Sequence, residues 1–498
     1  MKEDLETINK FQKEIILLGQ TSALLDWDLQ TYMPKQAAQS RAEQSALVSS
    51  LIHEKMTNET FFQAVKNLKK EKLDRKNEVL VKKIYKELTK SRTLPKEFVE
   101  ELSKTTSLAF NTWLEAREKD NFKIFQPHLE KVIALKQKEA NYLNSFLQCK
   151  NSYDALLDNY EEGMTVEKLK PLLEELKQGL IKILTKIKNS EHYKTQKEIL
   201  LKKKFPRETQ IEFATDVFRR IGLPENGSRI DFAEHPFETR LGINDVRITT
   251  NIRDDPLFSF TSTIHESGHA LYELHLAEKS RYDFLESSPS YGMHESQSRF
   301  WELMIGKSKP FWEFYFPLFS KKFNLKGNLD DWYNEINMVK PSLIRIESDE
   351  IHYCLHIILR FELEQGLLDG SIQVKDLPQL WNEKMKTYLN IVPKTDKEGV
   401  LQDVHWSGGS IGYFPTYAIG TVYASQLYTA IKKIMPTIEK DIEKGDFSKI
   451  REWLKNNLHV HGALFLADDL IKNATGQGSN PKIFLKYLND KYKEIYGF

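Results

Sequence analysis

Residues 263–271 read TIHESGHAL and contain two histidines four positions apart, with a glutamate directly after the first. Because residues four apart lie on nearly the same face of an α-helix, His265 and His269 can bind one metal ion. Glu266 projects beside that ion and can take a proton from a water molecule that the ion activates. Apolar Ile264 and Leu271 fit a helix with one buried face. The stretch therefore predicts a helix that carries a catalytic metal centre, and its ligand types favour zinc.

The segment just before this helix differs in composition from the rest of the chain. Proline and glycine cluster between residues 203 and 260. Within that segment Val246, Ile248 and Thr250 alternate with polar residues, and a period of two predicts a β-strand over 246–252. We expect this strand to lie beside the metal-binding helix.

Helical periodicity dominates the remainder, beginning with Leu5, Ile8 and Phe11 at three-residue spacings. We find no internal repeat and no exposed linker, so we expect a mainly α fold in one domain, 1–498. Its expected sub-regions are a helical part (1–202), a loop and strand insert (203–260) and a helical catalytic part (261–498).

Composition excludes several classes of protein. The chain has 498 residues, 40% of them apolar, which is enough for a large core and rules out a disordered chain. The net charge of +1 and the acidic residues that interrupt the lysine-rich stretch 69–90 argue against binding to nucleic acid. Cys149 and Cys354 are the two cysteines, too few for a disulfide framework. With no secretion signal and no apolar run long enough to span a membrane, we expect a cytoplasmic protein without membrane contact.

A zinc centre of this type needs a third protein ligand. His275 lies six residues after His269, but Tyr272 occupies the place where a glycine would break the helix. If the helix continues, His275 points to another face and is an ordinary helix histidine. The alternative is a downstream carboxylate, and the candidates are Glu273, Glu278, Glu286, Glu295 and Glu302. Spacing favours Glu295, for which an ion pair with Arg299 is the alternative interpretation.

Together these motifs resemble the carboxypeptidase Taq family of zinc metallocarboxypeptidases. The HESGH motif is followed by HESQ at 294–297, and three further stretches match the family in the expected order. These are 245–249 (DVRIT), 344–349 (IRIESD) and 399–406 (GVLQDVHW). The one departure is Ser348, where the family has alanine.

The resemblance implies a mostly helical body with a long, deep groove and a small sheet beside the metal helix, a gluzincin-type, neurolysin-like architecture. It implies release of single residues from peptide C-termini with broad specificity, a zinc or cobalt ion, and a homodimer. Carried over by residue, His265, His269 and Glu295 bind the metal, and Glu266 is the general base. Arg345 binds the terminal carboxylate of the substrate, for which the planar guanidinium is well shaped.

Other residues of these motifs have more than one interpretation. Arg345 could instead pair with Asp349 on a helix surface. Arg247 either contributes to substrate binding or braces Asp245 and its strand, and we favour bracing. His235 is typical of a structural loop histidine, but it lies close enough to the strand to line a substrate groove.

A second cluster of polar residues precedes a glycine-rich turn. Asp403 and His405 either form a buried hydrogen-bonded pair or act on the substrate, with Asp403 orienting His405 to donate to the oxyanion. A phenol could supply a second donor, and of Tyr413 and Tyr417 we favour Tyr417.

These residues predict direct attack by water on the last peptide bond, with no covalent intermediate. The alternatives are a zinc oligopeptidase with the same metal centre and a non-catalytic helical protein that binds peptides. Acceptance or rejection of a C-terminally amidated peptide separates the first alternative from a carboxypeptidase.

Overall fold

The computed structural model describes residues 1–276 and 282–498. Along the chain, one series of α-helices precedes a small β-sheet and a second series follows it. Before the sheet lie α1 (Lys2–Gln30), α2 (Ala38–Met56), α3 (Glu59–Leu68), α4 (Arg75–Thr93), α5 (Lys96–Glu118), α6 (Phe122–Leu147), α7 (Ser152–Leu157), α8 (Val166–Asn189), α9 (Glu191–Thr195) and α10 (Arg207–Arg220). After it lie α11 (Pro256–Leu276), α12 (Tyr291–Arg299), α13 (Lys309–Phe323), α14 (Leu329–Ile336), α15 (Glu350–Asp369), α16 (Leu377–Leu389), α17 (Pro415–Ile434), α18 (Ile438–Ile442), α19 (Ser448–Asn457), α20 (Ala467–Thr475) and α21 (Pro481–Tyr496).

The sheet has three strands in the order β1, β3, β2. They are β1 (Ser228–Phe232), β2 (Glu238–Gly242) and β3 (Asp245–Thr250). The central strand, β3, pairs parallel with β1 and antiparallel with β2. Its alternation of buried and partly exposed residues is the period of two that the sequence carries.

The strand β3 holds the start of α11. The hydroxyl of Thr250 lies 2.8 Å from that of Ser262 and donates to the carbonyl of Ser259 at 3.2 Å. Both serines belong to α11, so the two elements are joined within its first two turns. This contact fixes the helix that carries HESGH relative to the sheet.

Glycines allow α11, α12 and α17 to approach closely. A Cβ atom on Gly268 of α11 would lie 2.7 Å from the Cα of Ser298 in α12. A Cβ on Gly420 of α17 would lie 2.8 Å from the Cβ of Glu295 and 2.9 Å from the carbonyl oxygen of Gly292. Such distances leave no room for a methyl group. The third predicted ligand, Glu295, is thereby held between two helices.

Apolar side chains form two cores. The larger one runs from α5 to α21 and includes the buried faces of α11, α12 and α17. The smaller one joins α1, α3 and α4, and it also includes Leu285 and Ala463. The helical segments at the N-terminus thus pack against the loop that precedes α12.

The predicted fold class, mainly α with a small sheet beside the metal helix, is confirmed. The strand predicted over 246–252 begins one residue earlier, at Asp245, and ends at Thr250. The segment 203–260 differs from the expected loop and strand insert, because α10 occupies its first part with a buried face that includes Phe213 and Val217. The single-domain assignment stays a prediction. Within the described residues, the helices are too short or too polar to cross a bilayer.

Candidate metal centre

Three predicted ligands meet where α11 crosses α12. One donor atom from each of His265, His269 and Glu295 lies within 4.8 Å of the other two. The Nε2 atoms of His265 and His269 are 3.7 and 3.5 Å from Oε2 of Glu295. The donor atoms come together for two reasons. The histidines are four residues apart on α11, and Glu295 lies one helical turn after Gly292 on α12. In the described part of the chain, other groups of three such residues do not come together in this way.

The donor set fits a divalent metal ion. Oε1 of Glu295 is buried and has no hydrogen-bond partner, while Oε2 accepts a bond from the hydroxyl of Ser298 at 3.0 Å. A buried carboxylate oxygen without a partner is costly unless a cation compensates it. Two imidazoles and one carboxylate are the ligand types of catalytic zinc sites with one open position.

A charged pair supports His265. Its Nδ1 lies 2.8 Å from Oε2 of Glu302, and the same oxygen accepts a bond from Arg299 at 2.9 Å. Burial alone would raise the pKa of Glu302, but the charges of Arg299 and His265 lower it to about 2. Glu302 is therefore an anion that accepts from Nδ1–H and leaves Nε2 free for the ion. This carboxylate, a candidate third ligand in the sequence, supports a ligand instead.

A longer chain of groups supports His269. Its Nδ1 is 2.6 Å from Nδ1 of His294, whose Nε2 is 3.0 Å from Oε1 of Glu273. The other oxygen of Glu273 pairs with Arg240 at 3.2 Å. If Nε2 of His269 faces the ion, its Nδ1 carries the proton and donates to His294, which then donates to Glu273. Burial and the neighbouring His294 lower the pKa of His269 to about 4, which favours the neutral ring that a metal needs.

Glu266 lies next to the ligands without being one of them. Its side chain is buried, and burial raises its pKa to about 7 although the charge of His265 opposes the shift. A carboxyl group in this state can both accept and return a proton near neutral pH. This is the property that the general-base assignment requires.

A cluster with excess positive charge lies near the metal centre. Asp403 accepts bonds from Arg345 at 2.9 Å and from Arg360 at 2.7 Å, and the side chains of both arginines are buried. Burial would raise the pKa of Asp403, but the two guanidinium groups hold it well below its usual range. Nη1 of Arg345 donates to the hydroxyl of Tyr353 at 3.0 Å. The alternative pairing of Arg345 with Asp349 is not formed, because Asp349 caps α15 and contacts His352 instead.

The predicted oxyanion donors lie beside this cluster. Nε2 of His405 is 3.3 Å from the hydroxyl of Tyr417, and the rings of Tyr413 and Tyr417 are 5.3 Å apart. The hydrogen bond by which Asp403 was expected to orient His405 is not formed. Nδ1 of His405 is 3.8 Å from Oδ1 of Asp403 and has no hydrogen-bond partner. The reason is that the two arginines occupy both oxygens of Asp403.

One tyrosine connects the arginine cluster to the metal centre. The guanidinium of Arg299, which holds Glu302, lies 4.3 Å from the centre of the Tyr353 ring, and the hydroxyl of that ring accepts from Arg345. Burial is the main cause that raises the pKa of both Tyr413 and Tyr417, and the charge of Glu295 raises both further. Tyr353 therefore links the two clusters.

Comparisons with known proteins agree with this geometry. The family model described as "Carboxypeptidase Taq (M32) metallopeptidase" matches residues 7–492. The chain belongs to this family. Thermostable carboxypeptidase 1 of Pyrococcus furiosus is 38% identical over 98% of both chains, and the protein of the same name from Thermus thermophilus is 36% identical over 99% of both. A solved family structure from Deinococcus radiodurans, 34% identical, matches over the full length of both chains with a TM-score of 0.95.

Membership of the carboxypeptidase Taq family makes the chain a metal-dependent carboxypeptidase, a hydrolase that acts on peptides. The remaining predicted residues lie at the edges of the site or away from it. Arg247 forms a two-point contact with Asp245 at 2.9 Å, as the bracing interpretation expects. His235 is exposed between β1 and β2. His275 lies 2.8 Å from His459, away from the three ligands, which fits its interpretation as an ordinary histidine.

The other carboxylates considered as ligands lie elsewhere. Glu286 accepts a bond from the backbone of Tyr282 at 2.6 Å, and Glu278 lies outside the described residues. Sequence reasoning assigned no function to His294, Arg299, Tyr353 and Arg360. The position of His294 beside Glu295 in the HESQ motif was the signal that could have drawn attention to it.

Proposed function

We propose that this chain removes single amino acids, with broad specificity, from the free C-termini of peptides by direct attack of water. The observation that carries the proposal is the proximity of two clusters of opposite character. Three metal ligands with an uncompensated carboxylate oxygen are linked, through Glu302, Arg299 and Tyr353, to two buried arginines that share one aspartate. The first set suits a cation, and the second suits an anion such as a terminal carboxylate.

Arg345 is the group that selects the substrate. Three of its N–H groups bind Asp403 and Tyr353, and each Nη nitrogen keeps a second N–H for a carboxylate. Because Arg360 leaves the cluster with excess positive charge, a terminal carboxylate gains more there than an amide does. Only the last peptide bond then reaches the metal ligands, so positioning determines where the chain is cut.

His265, His269 and Glu295 would hold one divalent ion, zinc in the first place and cobalt as the alternative. When bound, such an ion supplies Lewis acidity to a carbonyl group and to water. Glu266 accepts a proton from the attacking water while the oxygen forms its bond to the carbonyl carbon. It returns that proton to the nitrogen as the C–N bond breaks. Tyr417 and His405 donate hydrogen bonds to the oxygen on which negative charge develops.

Further parts of the proposal are supported by the family resemblance. We assign the chain to a homodimer on that basis, and its location in the cytoplasm stays a prediction. Asp403 acts on the substrate through the arginines, while substrate roles for Arg247 and His235 stay predictions.

The test is a mass-spectrometric digest of one peptide as free acid and as C-terminal amide, with and without a chelator. We expect single-residue losses from the free acid, which stop with chelator and return with zinc or cobalt. Arg345→Lys keeps the charge but not the planar fork, and it should reduce kcat/KM about 10²-fold, mainly through KM.

The same digest reports the alternatives. Internal cleavage of both peptide forms would identify an oligopeptidase and remove the role of Arg345. No cleavage with either metal would indicate a non-catalytic peptide-binding protein. An unchanged rate in Glu266→Gln would contradict the general-base assignment.

A further inference from the structure

The two predicted oxyanion donors are connected by a short turn of the backbone. His405 begins the turn over residues 405–412, and Tyr417 follows it in the first turn of α17. The backbone N–H of Ser410 donates to the carbonyl of His405 at 3.0 Å and closes the turn. Gly412 ends it with a φ of 92°, which glycine adopts without strain. The contact between His405 and Tyr417, 3.3 Å from Nε2 to the hydroxyl, therefore depends on how this turn is held.

One buried carboxyl group contacts both ends of the turn. Oε1 of Glu364, a fully buried residue of α15, accepts a bond at 2.9 Å from Nε1 of Trp406, the residue after His405. Oε2 of Glu364 accepts a bond from the backbone N–H of Gly412 at 3.0 Å. The hydroxyl of Tyr153 in α7 also donates to Oε2, at 2.8 Å. Glu364 therefore joins the start and the end of the turn to two helices of the core.

A carboxyl group suits this position because both of its oxygens can accept hydrogen bonds. Both ends of the turn present N–H donors, and leaving a buried N–H without an acceptor costs about 1–3 kcal/mol. A glutamine has the same shape but a single acceptor oxygen, so its amide N–H₂ group would face one of the two donors. That end of the turn would lose its bond and would no longer be fixed.

We propose that Glu364 is a positioning residue for the cleavage reaction, which holds His405 and Tyr417 where both donate to the oxygen that gains negative charge. The inference rests on the proposed function, which assigns these two donors. Donors that are already oriented stabilise a transition state without a cost of reorganisation. A small displacement of one donor therefore lowers kcat, although Glu364 itself acts only through the turn.

The test measures kcat and KM for the release of leucine from acetyl-Ala-Ala-Leu by the zinc-loaded protein. Trp406→Phe keeps an aromatic ring but removes the N–H that reaches Glu364, and we expect kcat to fall about tenfold. KM should change by less than about twofold, because Asp403 is fixed by its own bonds to Arg345 and Arg360. Glu364→Gln, which releases one end of the turn, should lower kcat by a similar factor.

Two further variants separate positioning from a general loosening of the core. In a His405→Ala background the donor is already absent, so adding Trp406→Phe should lower kcat by less than about twofold. The matched control is Trp332→Phe in α14, which makes the same change to a buried tryptophan. Nε1 of Trp332 has no hydrogen-bond partner within the described residues, so kcat and KM should stay as in the unchanged protein.

A kcat within about twofold of the unchanged protein in both Trp406→Phe and Glu364→Gln would overturn the inference. So would an undiminished fall of kcat in the His405→Ala background, or an equal fall in Trp332→Phe. If the unchanged protein releases no leucine from this peptide, the proposed function fails instead. Circular dichroism and urea unfolding show whether each variant is folded at the assay temperature, and Glu364→Gln carries the test if Trp406→Phe is not.

Discussion

The two histidines of the metal centre lie one helical turn apart on α11, yet their surroundings differ. His265 is backed by a carboxylate that is itself paired with a buried arginine, and these contacts continue inward to Arg345. His269 is backed by the imidazole of His294, then by Glu273 and Arg240, at the border of an open cavity. The difference teaches that one histidine is backed directly by a carboxylate that is paired with a buried arginine, while the other reaches its carboxylate and arginine through a second imidazole at the edge of a cavity.

Removing the charged partner of His265 should have the largest effect. Glu302→Ala leaves Arg299 buried with its ion pair broken, which costs about 3–5 kcal/mol in the free energy of unfolding. It should also weaken zinc binding about 10²-fold, because Nδ1 of His265 loses its acceptor. Urea unfolding and competition with a chromogenic chelator measure the two effects. Glu302→Gln removes the same charge but keeps an acceptor oxygen, so it should lose somewhat less stability than Glu302→Ala; a loss near zero in Glu302→Gln would contradict the ion-pair explanation.

The second-largest effect is expected at Gly420, which packs against the ligand Glu295. Gly420→Ala places a methyl group 2.8 Å from Cβ and Cγ of Glu295, so α12 and α17 must move apart. We expect a loss of about 1–3 kcal/mol in unfolding free energy, with weaker zinc binding because Glu295 shifts. Gly19→Ala in α1, where no atom lies within 4 Å, is the control and should be neutral or stabilising. Unchanged metal affinity in Gly420→Ala would show that the packing does not position Glu295.

A buried carboxyl group outside the metal centre makes a prediction about pH. Glu364 of α15 accepts bonds from Tyr153, Trp406 and the backbone of Gly412, and burial raises its pKa to about 7. Since this value lies above that of an unfolded glutamate, the folded state holds the proton more tightly. Its contribution to stability is greatest in acid and declines as pH rises toward 7.

Glu364→Gln cannot ionise, so the difference in unfolding free energy between the original protein and this variant should change by about 2 kcal/mol between about pH 5 and about pH 8. The original protein should be the relatively weaker of the two at the higher pH. Urea unfolding at both values measures this. A difference that is independent of pH would show that Glu364 keeps the same protonation state throughout.

The smallest effect is expected on the cavity side. Glu273→Gln keeps an acceptor for His294 but removes the charge that faces Arg240, so zinc should bind about tenfold more weakly. Unfolding free energy should fall by about 1–2 kcal/mol, less than in Glu302→Ala, because the glutamine keeps an acceptor for His294 although the ion pair with Arg240 is lost. Competition with a chelator measures the zinc affinity of Glu273→Gln and of Glu302→Gln under the same conditions, so the two values can be compared. If Glu273→Gln weakened zinc binding more than Glu302→Gln, the proposed contrast between the two sides would be wrong.

Sequence by itself determined the parts of this protein that depend on local periodicity. The spacing of His265 and His269 fixes both on one face of a helix, and the alternation around Ile248 fixes a strand. The helix α10 within residues 203–260 was missed, because the prolines and glycines around it dominated the pattern. Spacing favoured Glu295 among the downstream carboxylates, and the family motifs supported that choice and added Arg345.

Only the tertiary structure decided what surrounds those residues. Glu302 could have been a ligand by spacing, but the crossing of α11 and α12 places it on Nδ1 of His265. Asp403 was expected to orient His405, but two arginines from other segments occupy both its oxygens. The physical reason is that a helical period sets directions over a few residues. Contacts between segments tens of residues apart depend instead on which helices pack together and how closely their glycines let them approach.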